Sequence, residues 1–236
     1  MKFKEFTLDP FQEKSIKAIE AGHSVVVSAP TGSGKTLTAD YIINKYIDVK
    51  KKIIYTAPIK ALSNQKYKDF SKEYGEANVG LMTGDIVINP TAKIVVMTTE
   101  IYRNMVISHD ESIKNIAYVI FDEIHYINDI ERGYVWEESI IYSLDTVRFL
   151  CLSATIPNAQ EFSNWIQAIK KHPVETVVAT KRNVPLQHSF YDQELGITTL
   201  EKIKEAKKIP NYQNAFPKKG KRKRIIFPKP NHLDLI

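Results

Sequence analysis

The 236-residue sequence has one cysteine, Cys151, set in the apolar stretch RFLCLS. A lone thiol closes no disulfide and builds no cysteine zinc site within the chain, so its setting marks it as core filler in a reducing compartment. No apolar run approaches the roughly eighteen residues of a membrane-spanning helix. The opening MKFKEFTLDP also lacks the apolar stretch and small-residue cleavage site of a secretory leader. These absences predict a soluble, cytoplasmic or nuclear protein with no membrane partner. A charge excess is missing as well. The formal charge of +6 comes from residues 218–224, KKGKRKR, and without them 27 basic residues face 27 acidic ones. Bulk charge therefore says nothing about nucleic acid, and any such reading must rest on placed residues. The basic run itself reads first as a solvated, flexible segment, with an RNA-tracking or import patch as the alternative.

Short apolar runs alternate with longer amphipathic stretches: VVVS at 25–28, IIYT at 53–56, IVVMT at 94–98, YVIFD at 118–122, RFLCLS at 148–153 and TVVAT at 176–180. Helical patterns lie between them at 10–21, 35–47, 59–73, 100–107 and 158–169. The first carries Asp9 as N-cap, Pro10 at its first position and Gly22 beyond its end. Strands uninterrupted by polar residues require helices on both faces, which predicts an α/β fold with a mostly parallel sheet. In such sheets ligands bind beyond the carboxyl ends of the strands, and every polar cluster of this sequence directly follows a strand. The folded domain is expected to span 1–190. Residues 191–236 read as a connector with one helix at 198–208, no further strands, and the basic segment 218–224.

The strongest local signal is APTGSGKT at 29–36, between the strand VVVS and a helix. This is the setting of a phosphate-binding loop. Backbone N–H groups of Thr31, Gly32, Ser33 and Gly34 can curl round phosphates, where a helix N-terminus favours negative charge. Lys35 would reach the terminal phosphates and Thr36 would place its hydroxyl on Mg²⁺. Ala29 stands where the strict pattern has glycine. Phosphoryl transfer further needs a carboxylate for the metal and a group for the attacking water. FDEIH supplies both: Asp122 ends an apolar strand and can hold Mg²⁺, and Glu123 can act on the water. Two adjacent acids can also simply cap the next helix, and the phosphate-binding loop is what favours the metal reading.

In order, PTGSGKT, DEIH and SAT resemble the DExH-box helicases of superfamily 2. The stretches LDPFQ (8–12), APIKALSNQKYKDF (57–70), FDEIHYINDIERGYVWEE (121–138) and LSATIPNAQEFSNW (152–165) are similar to the superkiller and exosome-cofactor RNA helicases. The resemblance covers roughly residues 6–190. It implies a RecA-like domain that binds ATP and Mg²⁺, within a 3′-to-5′ RNA helicase. It also implies that Gln12 reads the adenine edge, that Phe6 stacks on the base, and that His125 faces a second RecA-like domain. Ser153, Ala154 and Thr155 would couple ATP to RNA through hydrogen bonds to DEIH. The partners implied are single-stranded RNA, with DNA possible, that second domain, and an RNA-degradation complex.

Three strand-end segments offer groups for a phosphate track, in the family's order for its RNA contacts: Pro58, Lys60, Asn64 and Gln65; then Thr83, Gly84 and Asp85; then Thr98, Thr99 and Glu100. Each alone reads more simply as a cap or turn. Arg132 and Glu137 are expected to form an ion pair over Trp136, with the structural role of anchoring a helix. The second domain of such motors brings arginines to the γ-phosphate, and no arginine-rich motif of that kind occurs here, so the chain alone is expected to hydrolyse ATP poorly. Two other classes compete: a small-molecule kinase, for which no acceptor pocket or lid is apparent, and a non-catalytic nucleotide-binding module.

Overall fold

Residues 24–28, SVVVS, are buried at every position, and the other apolar runs behave almost alike. A strand buried on both sides must sit inside a sheet covered by two helical layers. That is the architecture of the computed structural model, which describes residues 1–181, 189–192 and 195–206. The chain falls into two compact units, Met1–Val184 and Pro185–Ile236.

In the first unit a small hairpin, β1 (Lys2–Phe3) and β2 (Phe6–Thr7), precedes α1 (Pro10–Glu20). There follow β3 (Ser24–Ser28), α2 (Thr36–Tyr46), β4 (Lys52–Ala57), α3 (Lys60–Tyr74), β5 (Val79–Met82), β6 (Val87–Ile88), β7 (Ile94–Thr98) and α4 (Thr99–Ile107). Next come β8 (Ile116–Phe121), α5 (Tyr134–Tyr142), β9 (Arg148–Ser153), α6 (Ala159–Lys170) and β10 (Val174–Val178). The sheet order is β10-β3-β9-β8-β4-β7-β5-β6, and every pairing is parallel except that of β6 with β5. The expected α/β fold is therefore present. The last expected strand, 176–180, begins two residues earlier, and β5 and β6 are additions.

Side chains alternate across the sheet. Val25, Val27, Ile53 and Tyr55 pack with Ile19, Ile42, Ile43 and Phe70 of α1, α2 and α3. On the other face, Val26, Ile54, Phe121, Phe149 and Cys151 pack with Tyr102, Trp136, Ile140 and Ile166 of α4, α5 and α6. Cys151 is fully buried as expected, and burial pushes its thiol pKa far up, which keeps it inert. Truncating a fully buried aromatic such as Phe149 or Trp136 removes on the order of 3–5 kcal/mol of stability.

The second unit holds an antiparallel hairpin, β11 (Phe190–Asp192) with β12 (Gly196–Thr198), and α7 (Leu200–Ala206). The sequence predicts no strand beyond 191, so this hairpin corrects it. Its strands are three residues long and expose Tyr191 and Ile197, leaving no buried alternation to read. The basic run 218–224 lies outside the described residues.

Candidate active site and nucleic-acid groove

Because β3, β9 and β8 are adjacent and parallel, the segments that follow them leave the same edge of the sheet. The phosphate-binding loop starts where β3 ends. The Ala29 N–H donates to the Ser153 carbonyl at 3.2 Å, and the Ile156 N–H donates to Ser28 Oγ at 2.9 Å. Gly34 has φ +84°, a backbone that favours glycine, and a Cβ there would sit 2.9 Å from Gln12 Nε2 and push that side chain aside. Gln12 is 5% exposed and joins two elements: its Oε1 accepts the Asp9 N–H at 2.9 Å, and its Nε2 donates to the Gly34 carbonyl at 3.0 Å. Lys35 Nζ donates to the carbonyls of Ala29 at 2.9 Å and Pro30 at 3.2 Å, and Thr36 opens α2. Ser33 Oγ is buried without a hydrogen-bond partner among the described residues.

Beyond β8, the Asp122 N–H continues the ladder to the Thr56 carbonyl at 3.0 Å. Its carboxylate accepts the Tyr55 hydroxyl at 2.5 Å and the Glu123 N–H at 3.0 Å. Tyr55 is fully buried, and burial together with the Asp122 charge raises its pKa well above the usual phenol value, which keeps it a donor. Sequence reasoning missed Tyr55. It stands mid-strand among apolar residues, and only the β4–β8 pairing places it under Asp122. Glu123 has left-handed backbone, φ 51° and ψ 45°, a conformation disfavoured for a side chain of its length. It turns the chain abruptly into the 3₁₀ turn Ile124–Asn128. His125 Nδ1 lies 3.3 Å from the Glu123 carboxylate, outside hydrogen-bond geometry, and the ring lines a separate cavity of about 270 Å³ with Glu137, Asn158, Phe162 and Trp165.

The SAT segment departs from expectation. Among the described residues Ser153 Oγ is buried without a hydrogen-bond partner, Thr155 is exposed, and no side-chain bond joins either to residues 122–125. The bonds formed here run toward the phosphate-binding loop instead, because β9 ends level with β3 at Ser28 and Ser153. Ala154, between them, is half-buried.

A cleft of about 310 Å³ opens beside the loop, lined by Phe6, Thr7, Asp9, Gln12, Gly32 and Ser33 among others. Phe6 is 58% exposed and reaches the cleft from the β1–β2 hairpin. Lys4, at φ 52° in the turn of that hairpin, forms an ion pair with Glu73, approaches Asp40 at 3.8 Å and sits over the rings of Phe3 and Tyr74. Nothing local in the sequence signals this anchor.

The three strand-end segments of the expected track do meet. A groove of about 360 Å³ is lined by Pro58, Lys60, Gly84, Thr98, Glu100 and Arg132 among others. The helices α3 and α4 start at this edge with Ile59 and Thr98 as N-caps, and neither side chain caps its helix, so first-turn N–H groups remain to be satisfied. Lys60 pairs with Asp85 at 2.9 Å. Thr83 is 4% exposed and donates to Asp85 at 3.1 Å, and Thr99 is fully buried, so both shape the turns beneath. Asn64 and Gln65 do not line the groove. Nor does Arg132 pair with Glu137 as expected. Its Nη2 donates to the Pro58 carbonyl at 2.8 Å and to the Glu100 carboxylate, while Trp136 lies under the guanidinium at 5.7 Å. Glu137 points to the His125 cavity, one helical position away from the side that faces α4.

The profile of DEAD/DEAH box helicases matches residues 9–162. The chain belongs to that family. Among its relatives, Homo sapiens exosome RNA helicase MTR4 is 50% identical over 79% of this chain, and Schizosaccharomyces pombe ATP-dependent RNA helicase mtr4 is 49% identical over 89%. The antiviral helicase SKI2 of Saccharomyces cerevisiae is 44% identical over 85%. These matches span 18%, 19% and 16% of the respective relatives, so the chain corresponds to about a fifth of their length. The ssDNA- and AMP-PNP-bound helicase Lhr of Mycobacterium smegmatis shares the fold, with TM-score 0.61 and 23% identity over 78% of this chain and 27% of that one. For this DEAD/DEAH helicase domain the family implies use of ATP.

Proposed function

We propose that this domain is the ATP-binding motor half of a 3′-to-5′ RNA helicase, in which hydrolysis at the β3–β9–β8 edge drives movement along single-stranded RNA held in the groove beside it. The observation that carries the reading is the sheet order. With β9 alone between them, the ends of β3 and β8 lie about 10 Å apart, a separation that a metal-bound triphosphate spans. Thr36 and Asp122 would hold Mg²⁺. The donors suit the ion: Mg²⁺ takes one or two protein oxygens and the rest from phosphates and water, and Asp122 offers a carboxylate already held in place by Tyr55 and the Glu123 N–H. When bound, the ion neutralises charge on the β- and γ-phosphates.

The chain's own residues supply the remainder. Lys35 exchanges the Ala29 and Pro30 carbonyls for phosphate oxygens. The backbone N–H groups of residues 31–34 bind the phosphates, and Ser33 Oγ is a spare donor there. Tyr55 fixes the Asp122 carboxylate. Glu123 orients the water and takes its proton as oxygen bonds to the γ-phosphorus and the bridge to ADP breaks. Gln12 and Phe6 contact the base. The groove binds phosphates through helix N-termini and polar groups, without reading sequence. The partner this reading requires is a second RecA-like domain, and an RNA-degradation complex is one that it allows.

The test is ATP hydrolysis by the whole protein with and without single-stranded RNA. Stimulation by RNA, lost by a hundredfold or so in Glu123→Gln while nucleotide still binds, is expected. Equal turnover with RNA removed would favour a small-molecule enzyme. Stimulation by DNA alone would move the substrate to the DNA branch, and an unaffected Glu123→Gln would favour a non-catalytic module.

A further inference from the structure

Arg132 is held on three sides yet only half spent. Its own N–H is fixed by Asp129 Oδ1 at 2.9 Å, its guanidinium rests on Trp136, and a single terminal nitrogen, Nη2, serves both the Pro58 carbonyl and Glu100. A guanidinium has five N–H donors. The other three, on Nε and Nη1, have no acceptor among the described residues, and the side chain lines the groove at 37% exposure. An arginine serving only to join α5 to α4 would present its flat two-pronged edge to the Glu100 carboxylate. This one divides a corner between two acceptors and leaves an edge open. Its immobilisation is already complete, so binding a ligand there costs little rotamer entropy.

We infer that Arg132 contacts a phosphate of the bound nucleic acid, between the uncapped starts of α3 and α4, and so ties the segment that follows Glu123 to the strand being moved. The inference rests on the RNA reading above. Its second part follows from chain connectivity. From Glu123 the chain runs through the 3₁₀ turn Ile124–Asn128 to Asp129, whose carboxylate accepts the N–H of both Glu131 and Arg132 at 2.9 Å. The Gly133 N–H then closes on the Asp129 carbonyl at 2.8 Å, and a Cβ on Gly133 would lie 2.2 Å from the Ile127 carbonyl oxygen. With no slack in this turn, a shift at the acidic pair reaches the guanidinium.

The experiment is fluorescence anisotropy of a labelled oligouridylate with the whole protein over a range of KCl concentrations, for Arg132→Ala, Arg132→Lys and Glu100→Gln. Loss of one phosphate contact reduces the slope of log affinity against log salt by about 0.7 for single strands. Arg132→Ala is expected to show that reduction with about a tenfold loss of affinity. Arg132→Lys should restore the slope without the full affinity, and Glu100→Gln, which takes a negative charge out of the groove, should tighten binding rather than weaken it. Equal weakening by Arg132→Ala and Glu100→Gln at unchanged slope would mean a purely structural pair and overturn the inference. If the unsubstituted protein shows no salt-dependent RNA binding, the RNA reading itself falls and takes the inference with it. If Arg132→Ala does not fold, an unchanged slope and affinity in Arg132→Lys overturns the inference by itself.

Discussion

Tyr55 holds one oxygen of Asp122 and the Glu123 backbone holds the other. The carboxylate is therefore held in one orientation before any ligand arrives. Tyr55→Phe is expected to cost about 1.5–3 kcal/mol of stability, as for a bond to a charged group, and to raise the Mg²⁺ concentration needed for half-maximal ATP hydrolysis. Urea unfolding and a magnesium titration check the two effects separately. A second residue-scale prediction concerns His172, at the opposite edge of the sheet. Ser24 Oγ lies 2.7 Å from its Nε2, and Arg148 Nη1 lies 3.3 Å from its Nδ1, an approach that suits only an unprotonated nitrogen. Burial first, then the charges of Arg148 and Lys170, lower its pKa from 6.5 to about 4. The unfolded chain therefore takes up a proton that the folded chain refuses, and stability present above pH 6.5 is lost as pH falls toward 4. Between pH 7.5 and 5 the loss from this group should be about 1–2 kcal/mol, and His172→Gln should flatten that part of the stability profile.

Among elements, the β1–β2 hairpin is the least self-sufficient, with two residues per strand and Phe6 exposed. Lys4 moors it to α2 and α3, and Phe3 packs beside it on Tyr41 of α2. Lys4→Met is expected to raise the KM for ATP severalfold with little change in kcat, since the hairpin carries the cleft wall and none of the groups on the attacking water. Steady-state kinetics would show the split, and a fall in kcat at constant KM would contradict it. Gly133→Ala should destabilise the domain by about 1–3 kcal/mol, because the added methyl meets backbone rather than a movable side chain.

The same elements show what the sequence makes legible. Buried strands announce themselves by unbroken apolar runs, and the loop at 29–36 by its glycine-rich order between a strand and a helix. The two-residue β6, the hairpins β1–β2 and β11–β12, and the true partner of Arg132 do not. Strands of two or three exposed residues have no period, and Glu100 lies 32 residues from Arg132, on a helix that becomes a neighbour only through packing. The SAT hydroxyls show the converse failure: a motif fixes which residues gather, while strand register decides which neighbour they bond.

At the scale of the whole protein, this chain corresponds to about a fifth of its long relatives. On the function proposed above, a second domain of a longer protein brings arginines to the transferring phosphate, a contribution of about a thousandfold or more. The 236-residue chain alone is therefore expected to bind nucleotide and to hydrolyse it at least a hundredfold more slowly than the whole protein with RNA, as a phosphate-release assay would measure.

One strand, β9, separates the loop that carries Lys35 from the turn that carries Asp122. On the proposed reading, the gap across which fuel would be gripped is a fixed increment of sheet, set by hydrogen bonding and not by any side chain. Loops and cavities around it can be remodelled to suit other cargo or other partners. That gauge can change only if a strand is inserted or removed, and every mutation that merely loosens β9 must blunt the grip from both flanks together.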